Sequence, residues 1–313
     1  MSFVTLSRVK YGALATILAV SVMLPFVVFG NSKTIHVDGN ASGLEDGTSA
    51  HPYATISKAL DYAGDGDEIS IHDGKYKESI TIPKGVTVNG NHNDRNKVVI
   101  RGGKNNATVT MKHGSSLNDV TVENGRNGIE VVKDARAKLF DVVVKDARLD
   151  GISADSAKSD KNHRLYAEKV EVKGSGRAGI FSESRYVVLV NCDIHDNETD
   201  GIDFLADTKA WLENVNSNDN GGSGWKAVVD GSEIWSRDNQ FRRNGREGIQ
   251  IESDGSTGSF GVKSSKTVDN GRWGIVLIAR NQSATDMWKH VFLEKNSSWG
   301  NRIGNVSSVI RGY

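Results

Sequence analysis

The sequence has little cysteine, little proline and no excess of charge of either sign. Of its 313 residues, one is cysteine and three are proline, whereas 34 are glycine. A single cysteine excludes an internal disulfide framework and a zinc knuckle made of paired cysteines, and the scattered histidines lack metal-ligand spacing. The 39 basic residues equal the 39 acidic residues in number. This balance argues against nucleic acid as a partner, because bulk nucleic-acid binding needs a basic excess.

One long apolar run lies near the N-terminus. Arg8 and Lys10 precede residues 11–29, which are uncharged and mostly apolar. The run is longer than a usual signal-peptide core and approaches the length of a membrane span. Residues 1–33 are therefore predicted to be either a signal peptide, cleaved near Val28 and Gly30, or an uncleaved membrane anchor. In both cases the rest of the chain is predicted to lie outside the cytoplasm, either secreted, periplasmic or on the cell surface.

A glycine that opens a short apolar strand recurs about every two dozen residues from the middle of the chain onward. The repeated positions are Gly128, Gly151, Gly179, Gly201, Gly224, Gly248, Gly274 and Gly300. Four residues before six of these glycines stands an asparagine, at Asn124, Asn197, Asn220, Asn244, Asn270 and Asn296. Alternating apolar residues are typical of strands, and Asn and Gly tolerate the positive φ of tight turns. A unit of this length made only of strands must stack on copies of itself.

Segments such as "LNDVTVENGRNGIEVV" and "VNCDIHDNETDGIDFL" resemble the right-handed parallel β-helix, or pectin-lyase-like, superfamily. The resemblance extends over residues 34–313. It implies an all-β fold in which one chain forms a right-handed parallel β-helix solenoid, with the asparagines hydrogen-bonded from coil to coil. It also implies a polysaccharide or a cell-surface glycan as the partner.

The segment before the first coils predicts a cap. Ile56, Ala59, Leu60 and Ala63 have helical spacing and define one apolar face, which suits a short helix that covers the open end of the first coil. We therefore expect a cap over residues 34–66 and β-helix coils over residues 67–313.

The strand after each repeated glycine predicts one outward-facing position per coil, two residues after the glycine. In a parallel stack, these residues lie about 4.8 Å from their vertical neighbours. The predicted outer positions are Glu130, Ser153, Phe181, Asp203, Lys226, Gln250 and Val276. The turn residues just before the glycine should flank them, and these include Asp150, Arg177, Asp200, Arg246, Glu247, Arg272 and Trp273.

Asp200, Asp203, Lys226 and Glu247 are the candidate catalytic residues. The sequence "TDGID" is similar to the first acidic motif of the polygalacturonase-type glycoside hydrolases, and the match would make Asp200 the general acid. The Gly-His-Gly and Arg-Ile-Lys motifs of that family are absent, so half of a two-carboxylate hydrolytic site is missing.

A lyase or epimerase acting on an acidic glycan is the looser alternative. In this hypothesis Lys226 is the base, and Asp200, Asp203 and Glu247 either hold Ca²⁺ or set the pKa of the base. Arg246 clamps the carboxylate of the substrate, and Arg177, Arg272, Trp273 and Trp299 complete the substrate-binding set.

The same residues also allow a non-catalytic module that binds a glycan or a protein. Asp203 and Lys226 then form only a cross-strand ion pair. Trp273 and Trp299 each precede a repeated glycine, and Trp211 and Trp235 each stand nine residues before an asparagine of the repeat. Such aromatic columns are either a platform for sugar rings or a ladder that holds the coils together.

Overall fold

The computed structural model describes residues 32–156, 158–255, 258–280 and 284–310. Within them, short parallel strands form a 19-stranded sheet and a 10-stranded sheet. The larger one bends into two faces, which we call the first and second sheets, and the smaller one is the third sheet. The first and second sheets are continuous, because the strands β8 (Ser115–Glu123) and β10 (Ala137–Lys145) run through both. The predicted all-β solenoid of parallel coils is confirmed.

The remaining strands fall into the three sheets in chain order. The first sheet contains β1 (Thr34–Val37), β2 (Glu68–Ile71), β5 (Thr87–Asn89), β12 (Arg164–Glu168), β15 (Tyr186–Val190), β18 (Lys209–Glu213), β21 (Glu233–Arg237), β24 (Ser259–Lys263) and β27 (Val291–Glu294). The second contains β3 (Gly74–Tyr76), β6 (Val98–Arg101), β13 (Glu171–Lys173), β16 (Asp193–His195), β19 (Asn216–Asn218), β22 (Gln240–Arg242), β25 (Lys266–Val268) and β28 (Ser297–Trp299). The third contains β4 (Ile80–Ile82), β7 (Val109–Met111), β9 (Ile129–Val131), β11 (Ile152–Ser153), β14 (Ile180–Ser182), β17 (Ile202–Phe204), β20 (Trp225–Val228), β23 (Ile249–Ser253), β26 (Trp273–Ala279) and β29 (Gly304–Ile310).

Two of the three corners of the solenoid are made by single residues in the left-handed region. Between the first and second sheets, φ lies between 50° and 58° at Asp119, Asp141, Lys169, Asn191, Asn214, Asp238, Ser264 and Lys295. Between the second and third sheets, the same role falls to Asn124, Asp146, Gly174, Asp196, Asp219, Arg243, Asp269 and Gly300. Asp, Asn and Gly dominate both sets because they tolerate this conformation best.

A chain of asparagine amides runs along the corner between the second and third sheets. Each Nδ2 donates to the Oδ1 of the next coil, over 2.9, 3.1, 3.0 and 2.8 Å in turn. The members are Asn197, Asn220, Asn244, Asn270 and Asn301. The predicted asparagine ladder is therefore confirmed at four positions.

The prediction was wrong at both ends of the repeat. Asn124 is a corner residue with positive φ, and Asn296 lies one corner earlier, where its Oδ1 accepts the Ser265 N–H. Gly300 is likewise a corner residue and does not open a third-sheet strand. Trp273 and Ile275, on either side of Gly274, pair with Gly304 and Val306 in the next coil. The partners lie this far along the chain because the inserted helix α2 (Ala284–Trp288) lengthens the coil between them.

The interior is apolar along the whole described stack, as the alternating strand pattern predicts. Most third-sheet strands, such as Ile202–Phe204, bury their first and third residues and expose the second. Trp225 is fully buried, and its ring lies 6.2, 5.9 and 4.8 Å from the rings of Phe204, Phe241 and Phe260. Cys192 is also in the core, where burial raises the pKa of its thiol to about 12. It is therefore an inert structural cysteine.

The helix α1 (Ile56–Asp61) covers the first coil, as predicted. Thr55 caps it through a hydrogen bond from the Lys58 N–H, and Ile56, Ala59 and Leu60 are buried against the first strands. Glu78 accepts the Ile56 and Ser57 N–H groups at 2.9 Å, so a carboxylate satisfies the orphan donors of the helix N-terminus. A short 3₁₀ turn, Lys161–His163, lies farther along the chain.

One buried arginine ties the corner between the third and first sheets. Arg185 is fully buried, and its guanidinium donates to backbone carbonyls of the two preceding coils. The acceptors are Val132, Lys133, Ala135, Ala154 and Asp155. Burial lowers the pKa of Arg185 to about 10. The side chain thus links three turns of the solenoid without a direct carboxylate partner.

None of the helices in the described part of the chain is long and apolar enough to cross a bilayer. The apolar run at residues 11–29, on which the predicted signal peptide or anchor depends, lies outside the described residues.

Candidate functional site

The predicted outer positions of the third sheet do form one column. Glu130, Ser153, Phe181, Asp203, Lys226, Gln250 and Val276 are successive register partners. The column faces solvent only as far as Lys226, because Gln250 and Val276 are 3% and 2% exposed. Gln250 is instead hydrogen-bonded to Glu252 and Ser223.

Asp203 and Lys226 are cross-strand neighbours that form an ion pair. Their Oδ1 and Nζ atoms are 3.1 Å apart, and the two side chains are only 15% and 25% exposed. The pairing that the non-catalytic hypothesis predicts is therefore present. It places a fixed cation and a fixed anion at the centre of the outer face.

Asp200 stands beside this pair, at the turn that enters β17. Its Oδ1 accepts the Ser223 N–H of the next coil at 2.6 Å. Burial raises the pKa of Asp200, and the nearby Asp203 carboxylate adds to the rise, although the Ser223 hydrogen bond and the cations of Lys226 and Arg246 oppose it. Asp200 therefore holds a proton more readily than an exposed aspartate does, which makes it a stronger base when it is ionised.

Glu247 lies two coils beyond Asp200 and is 2% exposed. Arg272 and Arg246 approach its two oxygens at 3.2 and 3.5 Å. The Ser223 hydroxyl, in the coil between, lies 3.2 Å from Glu247. The four candidate catalytic residues are thus brought together within three successive coils, but Glu247 is held by two arginines.

Three arginines occupy equivalent turn positions and form what we call the arginine column: Arg177, Arg246 and Arg272. Backbone hydrogen bonds connect these positions from coil to coil, with Thr199 and Gly222 standing between Arg177 and Arg246. The three side chains are 44–47% exposed. Because Thr199 and Gly222 carry no charge, the column has a two-coil gap, and Asp200 lies in that gap.

Arg177 is organised like its counterparts. It lies 3.3 Å from Asp150, whose side chain is 5% exposed, and its guanidinium is 5.3 Å from the ring centre of Phe181. Burial raises the pKa of Asp150. Each arginine of the column therefore combines a buried carboxylate partner with a half-exposed guanidinium.

The two tryptophans of the predicted substrate-binding set do not lie together. Trp273 follows Glu247 in the turn positions of the third sheet, where its carbonyl accepts the Gly248 N–H at 2.9 Å. Trp299 is 49% exposed and belongs to the second sheet, opposite Val268. The prediction that Trp299 is equivalent to Trp273 was wrong, because the helix α2 lengthens the intervening coil and leaves Trp299 in the second sheet. Trp211 and Trp235, by contrast, are register partners in the first sheet.

Sequence reasoning missed Ser223, which contacts both Asp200 and Glu247. The repeat could have identified Ser223, because it immediately precedes Gly224, just as Asp200 and Glu247 immediately precede their own repeated glycines. Sequence reasoning also missed Glu252, which accepts a hydrogen bond from Gln250 and forms a further ion pair with Arg280 at 2.6 Å.

The predicted calcium ligands do not suit a cation. Asp203 is neutralised by Lys226 and Glu247 by two arginines. No group of three His, Cys, Asp or Glu side chains within the described ranges could hold a metal ion. A cavity of about 500 Å³ lies elsewhere, in the first coils, and contains none of the predicted site residues. It is lined by Asp38, Asn40, Ile71, His72, Asp73, Gly90, Asn91 and His92.

Comparison with protein families agrees with this architecture. The model of the right-handed β-helix region matches residues 127–297, and that of a protein family of unknown function, DUF1565, matches residues 37–202. Each match covers more than half of the chain, so the protein belongs to the right-handed β-helix family and to DUF1565. The comparison with curated proteins gives no match.

Several solved structures share the fold. An alginate lyase from Paenibacillus sp. strain FPU-7 is similar with a TM-score of 0.62 at 13% identity, covering 89% of this chain and 99% of the lyase. Pectate lyase Pel9A gives 0.57 at 13% identity, with 88% and 78% covered. The Dettilon tailspike protein gives 0.55 at 13% identity, with 88% and 61% covered. At this identity the similarities show the fold, a right-handed parallel β-helix, and not the activity.

Proposed function

We propose that this protein acts outside the cytoplasm on an acidic polysaccharide that lies along the outer face of the third sheet. The observation that carries the proposal is the gap in the arginine column, which is occupied by Asp200 and the Asp203–Lys226 pair. Two of the similar structures are named as lyases of acidic polysaccharides, alginate and pectate, and this supports the same substrate class here.

The arginine column would bind the carboxylates of such a chain. Arg177 and Arg246 are three coils apart, or roughly 14 Å at the usual strand spacing. Half-exposed guanidinium groups that are fixed by buried carboxylates are well suited to carboxylate recognition. A bound chain would therefore be held on both sides of the gap, with one sugar unit opposite Asp200.

The residues in the gap support proton abstraction beside a uronate carboxylate. Asp200, with its raised pKa, would take the C5 proton of the sugar unit. Lys226 would stabilise the negative charge that develops on the sugar carboxylate. Cleavage of the C4–O bond would then give the C4=C5 unsaturated product, with the departing oxygen taking the proton that Asp200 removed. Delivery of a proton from water to the opposite face of C5, with Asp200 returning its own proton to water, would instead give the epimer. The Asp203 contact favours Lys226 as this cation rather than as the base predicted from the sequence.

A two-carboxylate hydrolysis is less well supported. It needs a second carboxylate that is free to activate water, and Glu247 is buried and paired with two arginines.

The test is a product assay with the purified full-length chain on polygalacturonate, polymannuronate, polyguluronate, hyaluronan and neutral dextran. A lyase gives unsaturated products that absorb in the ultraviolet, whereas an epimerase gives deuterium at C5 when the reaction is run in D₂O. Asp200→Asn, which keeps the shape and hydrogen-bonding ability of the side chain, is the matched control. Absence of both signals on every acidic polymer would remove the catalytic proposal.

Binding without chemistry is the second candidate function. It is favoured by the engagement of Asp203 with Lys226 and of Glu247 with its arginines, since paired groups form a stable surface without a free base. If polygalacturonate or alginate binds and Asp200→Asn retains the affinity while no polymer turns over, the protein is a binding module.

A further inference from the structure

The outer face of the first sheet carries a row of aromatic rings that the proposed function does not use. Tyr166, Val188, Trp211, Trp235, Gly261 and Phe292 are successive register partners in this sheet. We call the four aromatic members, Tyr166, Trp211, Trp235 and Phe292, the aromatic stripe. Phe292 is 47% exposed, and the other three residues are partly buried.

The stripe is held in place by its neighbours. Trp211 donates its Nε1–H to Glu213 at 3.1 Å, and the guanidinium of Arg237 lies 5.6 Å from the indole centre. Trp235 and Phe292 are stacked, with ring centres 5.6 Å apart and planes inclined by 24°. Rings fixed in this way lose little conformational entropy when a ligand binds.

A glycine makes the stack between Trp235 and Phe292 possible. Gly261 lies between them in the register. A Cβ at this position would lie 2.1 Å from Cε3 of Trp235. Any larger residue would push the indole away, so Gly261 is the determinant of the ring arrangement in this part of the stripe.

Paired charges border the stripe on both sides. Lys209 lies 3.6 Å from Glu233 along one edge, and Arg237 lies 2.5 Å from Glu213 along the other. Each edge therefore presents hydrogen-bond donors and acceptors without an excess of either charge. Such edges suit hydroxyl groups better than a polyanion, because a surface without excess positive charge gives a polyanion no net electrostatic attraction.

The shape of the surface also selects its partner. A stable protein interface buries roughly 800 Å² on each partner around an apolar centre, whereas the stripe is one ring wide with charges on both sides. Its rings stand two, one and two coils apart, because Val188 and Gly261 occupy the coils between them. The coil repeat itself, about 4.8 Å, is close to the length of one pyranose unit. Indole and phenyl faces stack on the apolar faces of sugar rings through the same contacts that aromatic pairs use.

We propose that the aromatic stripe is a binding site for an uncharged, extended glycan chain of β-linked pyranose units. The chain lies along the solenoid axis, stacks on Trp211, Trp235 and Phe292, and hydrogen-bonds to the paired charges at the edges. The proposal is independent of the third sheet and holds whether or not Asp200 supports turnover.

The experiment is titration calorimetry of the full-length chain with cellohexaose, xylohexaose and mannohexaose, with tryptophan fluorescence as a second readout. Binding of at least one of these neutral oligosaccharides is expected. The double variant Trp211→Thr/Trp235→Thr should weaken it at least about tenfold, since each variant removes a stacking face. Trp299→Ala, which removes an exposed tryptophan from the second sheet, is the matched control and should leave the affinity unchanged.

A second variant keeps both indoles. Gly261→Ala displaces Trp235 without removing a ring, and it should weaken glycan binding several-fold while circular dichroism shows an unchanged fold. The proposal is overturned if no neutral oligosaccharide binds the native chain, or if the Thr and Ala variants bind as tightly as the native chain. It is also overturned if the native chain self-associates in sedimentation and the double variant does not, since the stripe is then a protein interface.

Discussion

The outer faces of the third and first sheets present opposite chemistry on the same backbone repeat. The third sheet carries buried carboxylates and half-exposed arginines around Asp200, whereas the first sheet carries aromatic rings bordered by paired charges. Both faces consist of register columns with one outward residue per coil. In a parallel stack, a ligand site can therefore be made by repeating one residue type along a column, independently of the columns on the other faces.

The largest expected effect separates the two faces by activity. Asp200→Asn should lower turnover of an acidic polysaccharide by roughly 10²–10⁴-fold, the usual contribution of a positioned acid or base. Trp235→Thr, on the first sheet, should leave turnover unchanged. Initial rates measured for both variants on the same polymer check this. Equal losses in the two variants would mean that the faces are not independent.

A change at the corner that joins the two faces should disturb both. Arg185→Met leaves five backbone carbonyls without their buried donor, and it should lower the free energy of unfolding by about 3–5 kcal/mol. Arg185→Lys keeps the charge and up to three of the hydrogen bonds, so it should cost less. Urea denaturation of the three proteins gives the values. A loss below about 1 kcal/mol for Met would show that water replaces the guanidinium.

Removal of one arginine from the third sheet should affect binding more than folding. In Arg272→Gln, Arg246 still neutralises Glu247, so affinity for an acidic polysaccharide should fall by about 1–2 kcal/mol, with a weaker dependence on salt. Arg237→Gln, on the first sheet, is the matched control. Calorimetric titration at two salt concentrations distinguishes them, and an equal loss of affinity in both variants would contradict the assignment of the acidic chain to the third sheet.

The smallest expected effect is a pH dependence that belongs to Asp200 alone. Its folded-state pKa is raised by burial, so the folded protein holds this proton more tightly than the unfolded chain does. The resulting stabilisation is complete below the ordinary Asp pKa, about 4, and it is lost as pH rises through the raised value. The free energy of unfolding of the native protein, minus that of Asp200→Asn, should therefore fall over the mildly acidic range. A difference that stays constant with pH would refute the burial argument.

The fold could be predicted from the sequence because the repeat constrains it many times over. The glycines from Gly128 to Gly274 open successive third-sheet strands, and four of the predicted asparagines bond to one another. The prediction failed where one coil has a different length. Because α2 is inserted, Gly300, Asn296 and Trp299 do not occupy the positions that the regular spacing of the repeat predicts for them.

The candidate site was predictable in its positions but not in its partners. Register places Asp203 beside Lys226, and the strand period alone predicts this. The contact of Glu247 with Arg246 and Arg272 depends on side-chain directions at a turn, which spacing does not determine. Arg185 gave no signal, because a lone arginine in a turn is usually solvated and its carbonyl acceptors come from distant coils.

The amide chain from Asn197 to Asn301 has a direction, since each Nδ2 donates toward the later coil and each Oδ1 accepts from the earlier one. Every internal member thus presents an identical donor to the later coil and an identical acceptor to the earlier coil. Duplication or deletion of one complete turn between Gly201 and Gly248 would rejoin these groups without a mismatch. The molecule can accordingly change its length in whole-coil steps, and the reach of any surface along its axis would change with it.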